Sequence, residues 1–287
     1  MLTYAELRAE AEILAGNLPP FDQVKGFRTT AHSGAASRQR AGQGEDFWQY
    51  RSQTPEDSAG AIDWRRSATG DELFIREHEL QSARLLSLWT DGSEGFDWKS
   101  DAAPMSKADC AHILLTALAI RYSETGDMVG VIEGVNGVSN SHHLIGPLVD
   151  DFMHLEGSVP GIPQKETAQI ILASDFYGDL DVLTDWISRE SVEGRTGILL
   201  QIIDPMERDF PFTGRIRFKL PGSGLSRIFG RTELMKDAYF ERFKERQLTL
   251  EALCERIGWQ YFIHCSSEPM APMAFTLLNA LHVEAAG

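Results

Sequence analysis

Positive charge is scarce in this chain. Its 287 residues carry 27 Lys and Arg against 42 Asp and Glu, a formal charge of -15. Neutralising phosphates needs the opposite balance, concentrated on one face, so the composition argues against a nucleic-acid partner. Cysteine is scarcer still. Cys110, Cys254 and Cys265 are too few and too scattered for a disulfide framework, and none sits in a CxxC pair suited to zinc or redox chemistry. They read as small buried hydrophobes in a reducing compartment. Long apolar runs are also missing: the longest, Ile113 to Ile120, is interrupted by Thr116 and falls far below the roughly 20 residues that span a bilayer. Met1 to Leu18 has the pattern of an amphipathic helix and not of a basic-then-apolar leader. The expected location is therefore the cytoplasm, with no membrane span.

Nucleotide motifs are absent as well. Gly42-Gln-Gly44 and Gly222-Ser-Gly224 lack a third glycine and a strand-to-helix setting, and no Gly-Lys-Ser/Thr loop exists. His142-His143 has no third ligand at metal spacing, and Ser93 has neither a base partner nor a nucleophile elbow around it.

What the chain does contain is enough apolar material for a core, 43% of its residues. The length suits one large domain carrying a smaller one. From Val24 to about Leu80 there is no helical period, and Gly26, Gly34, Gly42, Gly44, Pro55, Gly60 and Gly70 punctuate short pieces, which predicts small strands and ordered loops. Residues 1–80 are thus expected to form an N-terminal helix and a β-rich extension packed on a main domain, residues 81–287. Lys25, Arg28, Arg38 and Arg40 stand in an acid-free stretch that offsets the charge of the rest.

After Arg84 apolar strands alternate with amphipathic helices. Leu85 to Asp91, Asp127 to Ile132, Ala168 to Asp175, Gly197 to Asp204 and Trp259 to Cys265 read as strands. Helices are predicted from Ser106, where Ser106 and Asp109 have capping-box spacing, to Gly126, and over His143 to Leu155, Asp179 to Ser191, Thr232 to Ile257 and the C-terminal segment. The piece from Asp204 to about Gly230 reads as a loop-rich insert. Such alternation predicts an α/β fold, a mostly parallel sheet with helices on both faces.

In an open parallel sheet, ligands bind outside the carboxyl ends of the strands. Two strands end on aspartates beside small polar residues, Asp91-Gly-Ser93 and Ser174-Asp175. If those strands are neighbours, hard oxygen ligands for magnesium, manganese or calcium converge there; otherwise the acids cap the following helices. The string Ile62-Asp-Trp-Arg-Arg66 also has two readings. Either Trp64 anchors a loop while Asp63, Arg65 and Arg51 form a clasp, or Trp64, Arg65 and Arg51 form a partner-binding surface, Trp and Arg being enriched at hot spots.

The ordered string Gly42-Gln-Gly44, Phe47, Tyr50-Arg51, Asp57, Asp63-Trp-Arg65, Ser67-Ala68, Arg76-Glu77 and Trp89-Thr-Asp91-Gly-Ser93 resembles the bacterial "domain of unknown function 58" family. The central part of that family is similar to a von Willebrand factor type A domain. Ala173 to Phe176, Ile203-Asp-Pro205, Glu207, Pro211-Phe212 and Tyr239 agree, so the resemblance runs from about Gly26 to Leu281. It implies a von Willebrand factor A-like (Rossmann-like) sheet in which the Asp91 and Asp175 strands are neighbours. Type A domains hold a divalent ion with an Asp-x-Ser-x-Ser loop, a threonine and a later aspartate, and the ion binds a partner's carboxylate. Here Asp91, Ser93 and Asp175 match, Gly95 replaces the second serine, and Ser158 is the nearest substitute for the threonine. The implied site is a degenerate metal-ion-dependent adhesion-like (MIDAS) site holding Mg2+ or Mn2+ weakly, because water must fill the missing positions.

Family members often occur beside MoxR-type AAA+ ATPases. The resemblance therefore implies a non-enzymatic intracellular protein-interaction module, an adaptor or co-chaperone working with such an ATPase. The alternative is a divalent-metal-dependent hydrolase acting on a phosphorylated or carboxylated substrate in the same crevice, which would need a positioned general base and a tightly held ion.

Overall fold

The computed structural model describes residues 2–23, 41–52, 63–68, 73–79, 83–141, 143–219, 221 and 224–285. The basic residues Lys25, Arg28, Arg38 and Arg40 lie outside them, as do Asp57 and His142. The chain divides into two compact units, 29–83 and the remainder.

The smaller unit contains strand β1 (Ala41–Ser52), the helical turn α2 (Trp64–Ser67) and strand β2 (Phe74–Glu79). Strands β1 and β2 pair antiparallel, with Arg51 opposite Ile75 and irregular register between Gly42 and Gln49. The turn is fixed at both ends. The Asp63 carboxylate accepts from the Arg65 and Arg66 N–H groups at 3.1 and 3.0 Å, and the Ser67 hydroxyl accepts from the Phe74 N–H at 2.9 Å.

The larger unit begins with helix α1 (Tyr4–Gly16), opened by a Thr3/Glu6 capping box. Strand β3 (Leu85–Thr90), helix α3 (Lys107–Ser123), strands β4 (Met128–Val131) and β5 (Val138–Ser139) and helix α4 (Ile145–Met153) follow. Next come β6 (Thr167–Ser174), α5 (Leu180–Val192), β7 (Thr196–Ile203), the short helix α6 (Pro205–Asp209) and strands β8 (Ile216–Lys219) and β9 (Ser226–Phe229). The unit ends with α7 (Lys236–Ile257), β10 (Gln260–Cys265) and α8 (Met270–Ala285).

Six strands form one sheet in the order β10-β7-β6-β3-β4-β5, parallel except for the edge strand β5. This is the mostly parallel α/β architecture the sequence predicts, consistent with a Rossmann-like, type A-like fold. Because side chains alternate across a strand, Ile171 and Ala173 enter one core with α1, α3, α4 and α8, while Ile170 and Leu172 enter a second core with α5 and α7. Burial on both faces is why the strands read as unbroken apolar runs.

Helix α3 lies between the sheet and α1 and is buried almost all round. A helix covered on every side can be apolar on every side. Arg121 ties the layers together, its guanidinium donating to the Ala15 and Leu18 carbonyls at 2.8 Å each. Helix α7 ends at Gly258, whose φ of +76° makes it the left-handed cap that only glycine adopts without strain.

The insert after Asp204, read as loop-rich, also holds α6 and the β8–β9 hairpin, and the rings of Phe210, Phe212, Phe218 and Tyr239 pack there with centroids 4.5 to 6.3 Å apart. Four-residue strands with a largely exposed face carry too little alternation to be recognised in sequence. All three cysteines are buried and free. Among the described residues, no helix is long and apolar enough to cross a membrane.

Leu118, fully buried in the middle of α3, tests the layered core. Leu118→Ala should lower the unfolding free energy by about 2–5 kcal/mol in urea denaturation; a cost near zero would mean that α3 is not sandwiched as described.

Candidate functional site at the strand ends

Strands β3 and β6 are neighbours, with Thr90 opposite Ala173, so Asp91 and Asp175 leave the sheet side by side. The expected trio of Asp91, Ser93 and Asp175 is thus brought to one end of the sheet. The acids are buried, at 4% and 6% exposure. Asp91 Oδ1 accepts from the Ser93 N–H at 2.8 Å, and its Oδ2 accepts from the Ser174 hydroxyl at 2.7 Å. Asp175 Oδ1 accepts from the Tyr177 N–H at 3.0 Å. Neither acid caps a following helix. The caps of α3 and α5 are Ser106 and Asp179, which removes the helix-cap alternative.

The Gly157 loop, which carries Ser158, meets this end through a backbone bridge to Gly92. A Cβ on Gly92 would stand 2.1 Å from the Leu155 carbonyl oxygen, so the approach requires glycine. Gly95 has room for a side chain, its nearest neighbours lying 3.9 Å from a built Cβ.

The residue that sequence reasoning missed is Lys107, the first residue of α3. A cation is ordinarily disfavoured there by the helix dipole. Side chains on a helix lean toward its N-terminus, and this one reaches the strand ends, where its Nζ donates to Asp175 Oδ2 at 2.7 Å and to Glu207 Oε1 at 2.9 Å with only 1% of the side chain exposed. The Tyr177 ring centroid lies 5.4 Å away, a favourable position for a cation.

Glu207 does two jobs. Its other oxygen accepts from the Asp204 N–H at 2.8 Å, completing the capping box of α6. Asp204 is itself fixed by the Ser100 N–H and hydroxyl at 2.8 and 2.6 Å. The loop after Asp175 is pinned from α7, where Arg246 donates to the Phe176 and Gly178 carbonyls. That pinning holds Phe176 at a φ of +54°, a region costly for a bulky residue. The signals for Lys107 and Glu207 were present in sequence, as a lone lysine opening an apolar helix and a glutamate at capping-box spacing from Asp204. Only the fold brings them within bonding distance.

The charges respond to these surroundings. Burial alone would lower the Lys107 pKa, but the carboxylates of Asp175 and Glu207 together outweigh it and hold the ammonium above its ordinary value. Burial raises the Glu207 carboxyl, even with Lys107 beside it. Burial likewise raises Asp91, against the hydrogen bonds from Ser93 and Ser174.

A divalent ion does not suit this donor set. Each oxygen of Asp91 and Asp175 already accepts an internal bond, and one of those donors is a full positive charge. Two unit charges about 4 Å apart repel by about 4 kcal/mol at an effective dielectric constant of about 20, and a dication by twice that. Among the described residues, no group of three or more His, Cys, Asp or Glu is arranged to hold a metal.

Residues 49–141 match the family described as "Protein of unknown function DUF58". The matched region is less than half of the chain. That region contains Asp91, Ser93 and Lys107 as well as Trp64, Arg65 and Arg51, while Asp175 and Glu207 lie beyond its end. Two solved structures are similar at low identity. One is a conserved hypothetical protein BatB from Bacteroides thetaiotaomicron, 11% identical, with a TM-score of 0.44 over 71% of this chain and 100% of that one. The other is an aerotolerance-related membrane protein from Bacteroides fragilis NCTC 9343 bearing multiple mutations to serines, 12% identical, with a TM-score of 0.41 over 70% of this chain and 100% of that one. No curated protein matches.

Of the remaining candidates, Trp64, Arg65 and Arg51 belong to the smaller unit. Trp64 is 61% exposed at the start of α2, and Arg51 lies in β1.

The direction of the Asp91 shift yields a test. Its folded pKa lies above the ordinary value of 3.8, so the folded state binds more protons than the unfolded one, and stability is lost as pH rises from that value through the folded pKa. Asp91→Asn removes this loss. Urea denaturation from acid to neutral pH should show the variant gaining on the wild type as pH rises; a constant difference would mean that burial does not raise Asp91 in the folded state.

Proposed function

We propose that this protein is a non-enzymatic cytoplasmic interaction module, an adaptor or co-chaperone for a MoxR-type AAA+ ATPase, with Trp64, Arg65 and Arg51 in its partner-binding surface. The observation that carries the reading is Trp64. An indole left 61% exposed on a turn fixed by the Asp63 cap resembles the rigid aromatic anchors that dominate interfaces, and an arginine follows it directly. Exposure of the ring favours a binding surface over a loop anchor.

The strand ends support a binding role over hydrolysis. A general base needs a lone pair within reach of a substrate proton, whereas the Asp91 and Asp175 oxygens are buried and engaged internally. Their fixed network suits a rigid surface.

The test is association of the full chain with the purified MoxR-type ATPase of the same genome, measured calorimetrically. Trp64→Ala and Arg65→Ala should each weaken binding by about tenfold or more, the loss typical of hot spots, with the thermal transition preserved. Unchanged affinity in both variants, or no association of the wild type, would overturn the reading.

A further inference from the structure

We infer that β10 is a docking edge for a second copy of this chain: two β10 strands pair antiparallel about a two-fold axis and join two six-stranded sheets into one. The inference stands apart from the partner reading, because it uses residues of the larger unit only.

The two edges of the sheet differ. One is β5, two residues long, and short edge strands are a common guard against pairing. The other is β10, six residues long, with only β7 beside it among the described residues. Its sequence, Gln260-Tyr-Phe-Ile-His-Cys265, has no proline, lysine or acid, so it lacks the residues that usually blunt an edge. His264 and Cys265 are buried whereas Ile263 is 37% exposed. A groove follows Tyr261, Phe262 and Ile263, bordered by α7 and by Met273 of α8.

The α7 border favours a second copy as the occupant. Lys244, Gln247, Leu248 and Glu251 line the groove as one stripe at helical spacing. A lysine stands at one end and a glutamate at the other, with Leu248 left 53% exposed between them. Neither charge has an ion-pair partner among the described residues. They lie about 10 Å apart along the helix, at about 1.5 Å per residue. A two-fold axis perpendicular to the sheet, passing near Leu248 and Phe262, reverses stripe and strand together. It sets Lys244 against Glu251 of the partner subunit twice over and Leu248 against its own copy. It also sets Tyr261 opposite Ile263 of the partner subunit, and these share a face because side chains alternate along a strand. A two-fold interface must be complementary to itself, which a stripe with opposite charges at its ends satisfies and a stripe of one sign does not. Antiparallel pairing also gives partners to the backbone groups of β10 that face away from β7.

Sedimentation equilibrium of the full chain over micromolar concentrations should show a monomer–dimer equilibrium, the dimer having twice the chain mass of 32.0 kDa. Lys244→Glu and Glu251→Lys should each raise the dissociation constant by about tenfold or more, because each brings like charges together at both ends of the stripe. The double reversal should restore the wild-type constant. Ile263→Lys and Leu248→Lys should leave a monomer with unchanged circular dichroism. Hydrogen exchange should protect the β10 amides more at high protein concentration than at low.

A wild type that stays monomeric, the result expected if this edge instead receives a strand of another protein, would overturn the inference. So would a dimer that both lysine variants leave intact, or a natively folded double reversal that associates no better than the single ones. If Ile263→Lys does not fold, Leu248→Lys carries the same test from an exposed helix position.

Discussion

A single buried ammonium organises the end of the central sheet where β3 and β6 stop. Lys107 is inaccessible to water and bonded to two carboxylates, and removing one partner from a buried charge pair leaves the other uncompensated at a cost of about 3–5 kcal/mol. Helix α3, the loop after β6 and the short α6 that supply those groups are therefore tied to a common point. The Tyr239 hydroxyl, donating to the Glu207 carbonyl at 2.7 Å, extends the tie into α7. Arg246 draws the same helix to the loop after Asp175. The aromatic stack of the β8–β9 hairpin rests on Tyr239 as well. Hairpin, α7 and strand ends thus share one polar and aromatic junction.

This junction exists because α3 points at it. The helix starts beside the carboxyl ends of β3 and β6 and runs beneath the sheet, and its capping box sets its first residue at a fixed height, with the Ser106 hydroxyl accepting from the Asp109 N–H at 3.0 Å. Asp109 also accepts from the Leu2 N–H at 3.1 Å, so the entry to α1 is linked to the start of α3. Packing and electrostatics meet here: the desolvation cost of the buried ammonium is offset by two carboxylates already held in place to accept from it.

Strain is concentrated in the same region. Phe176 and Phe210 both adopt left-handed backbone conformations, one directly after Asp175 and the other at the end of α6. Non-glycine residues keep such conformations only when the surroundings over-determine them. The ring of Phe176 is buried in the second core and that of Phe210 packs on Tyr239 at 4.5 Å, so apolar burial on one side and hydrogen-bonded carbonyls on the other hold the loops in place.

The sequence by itself determined the alternation of strands and helices, the pairing of apolar runs into a two-faced sheet, the capping box at Ser106 and the stop at Gly258, because each follows from periodicity or from local backbone chemistry within a few residues. It also marked Asp91, Ser93 and Asp175, since acids at the ends of apolar strands stand out against their neighbours. It could not assign the cation. Lys107 and Asp175 are 68 positions apart and Lys107 and Glu207 are 100 apart, and a lysine before an apolar helix looks the same whether it faces water or a carboxylate. Only the tertiary structure decided that the charge at the strand ends is a side chain of the protein, because only the stacking of α3 under β3 and β6 brings residues so distant in the chain within 3 Å.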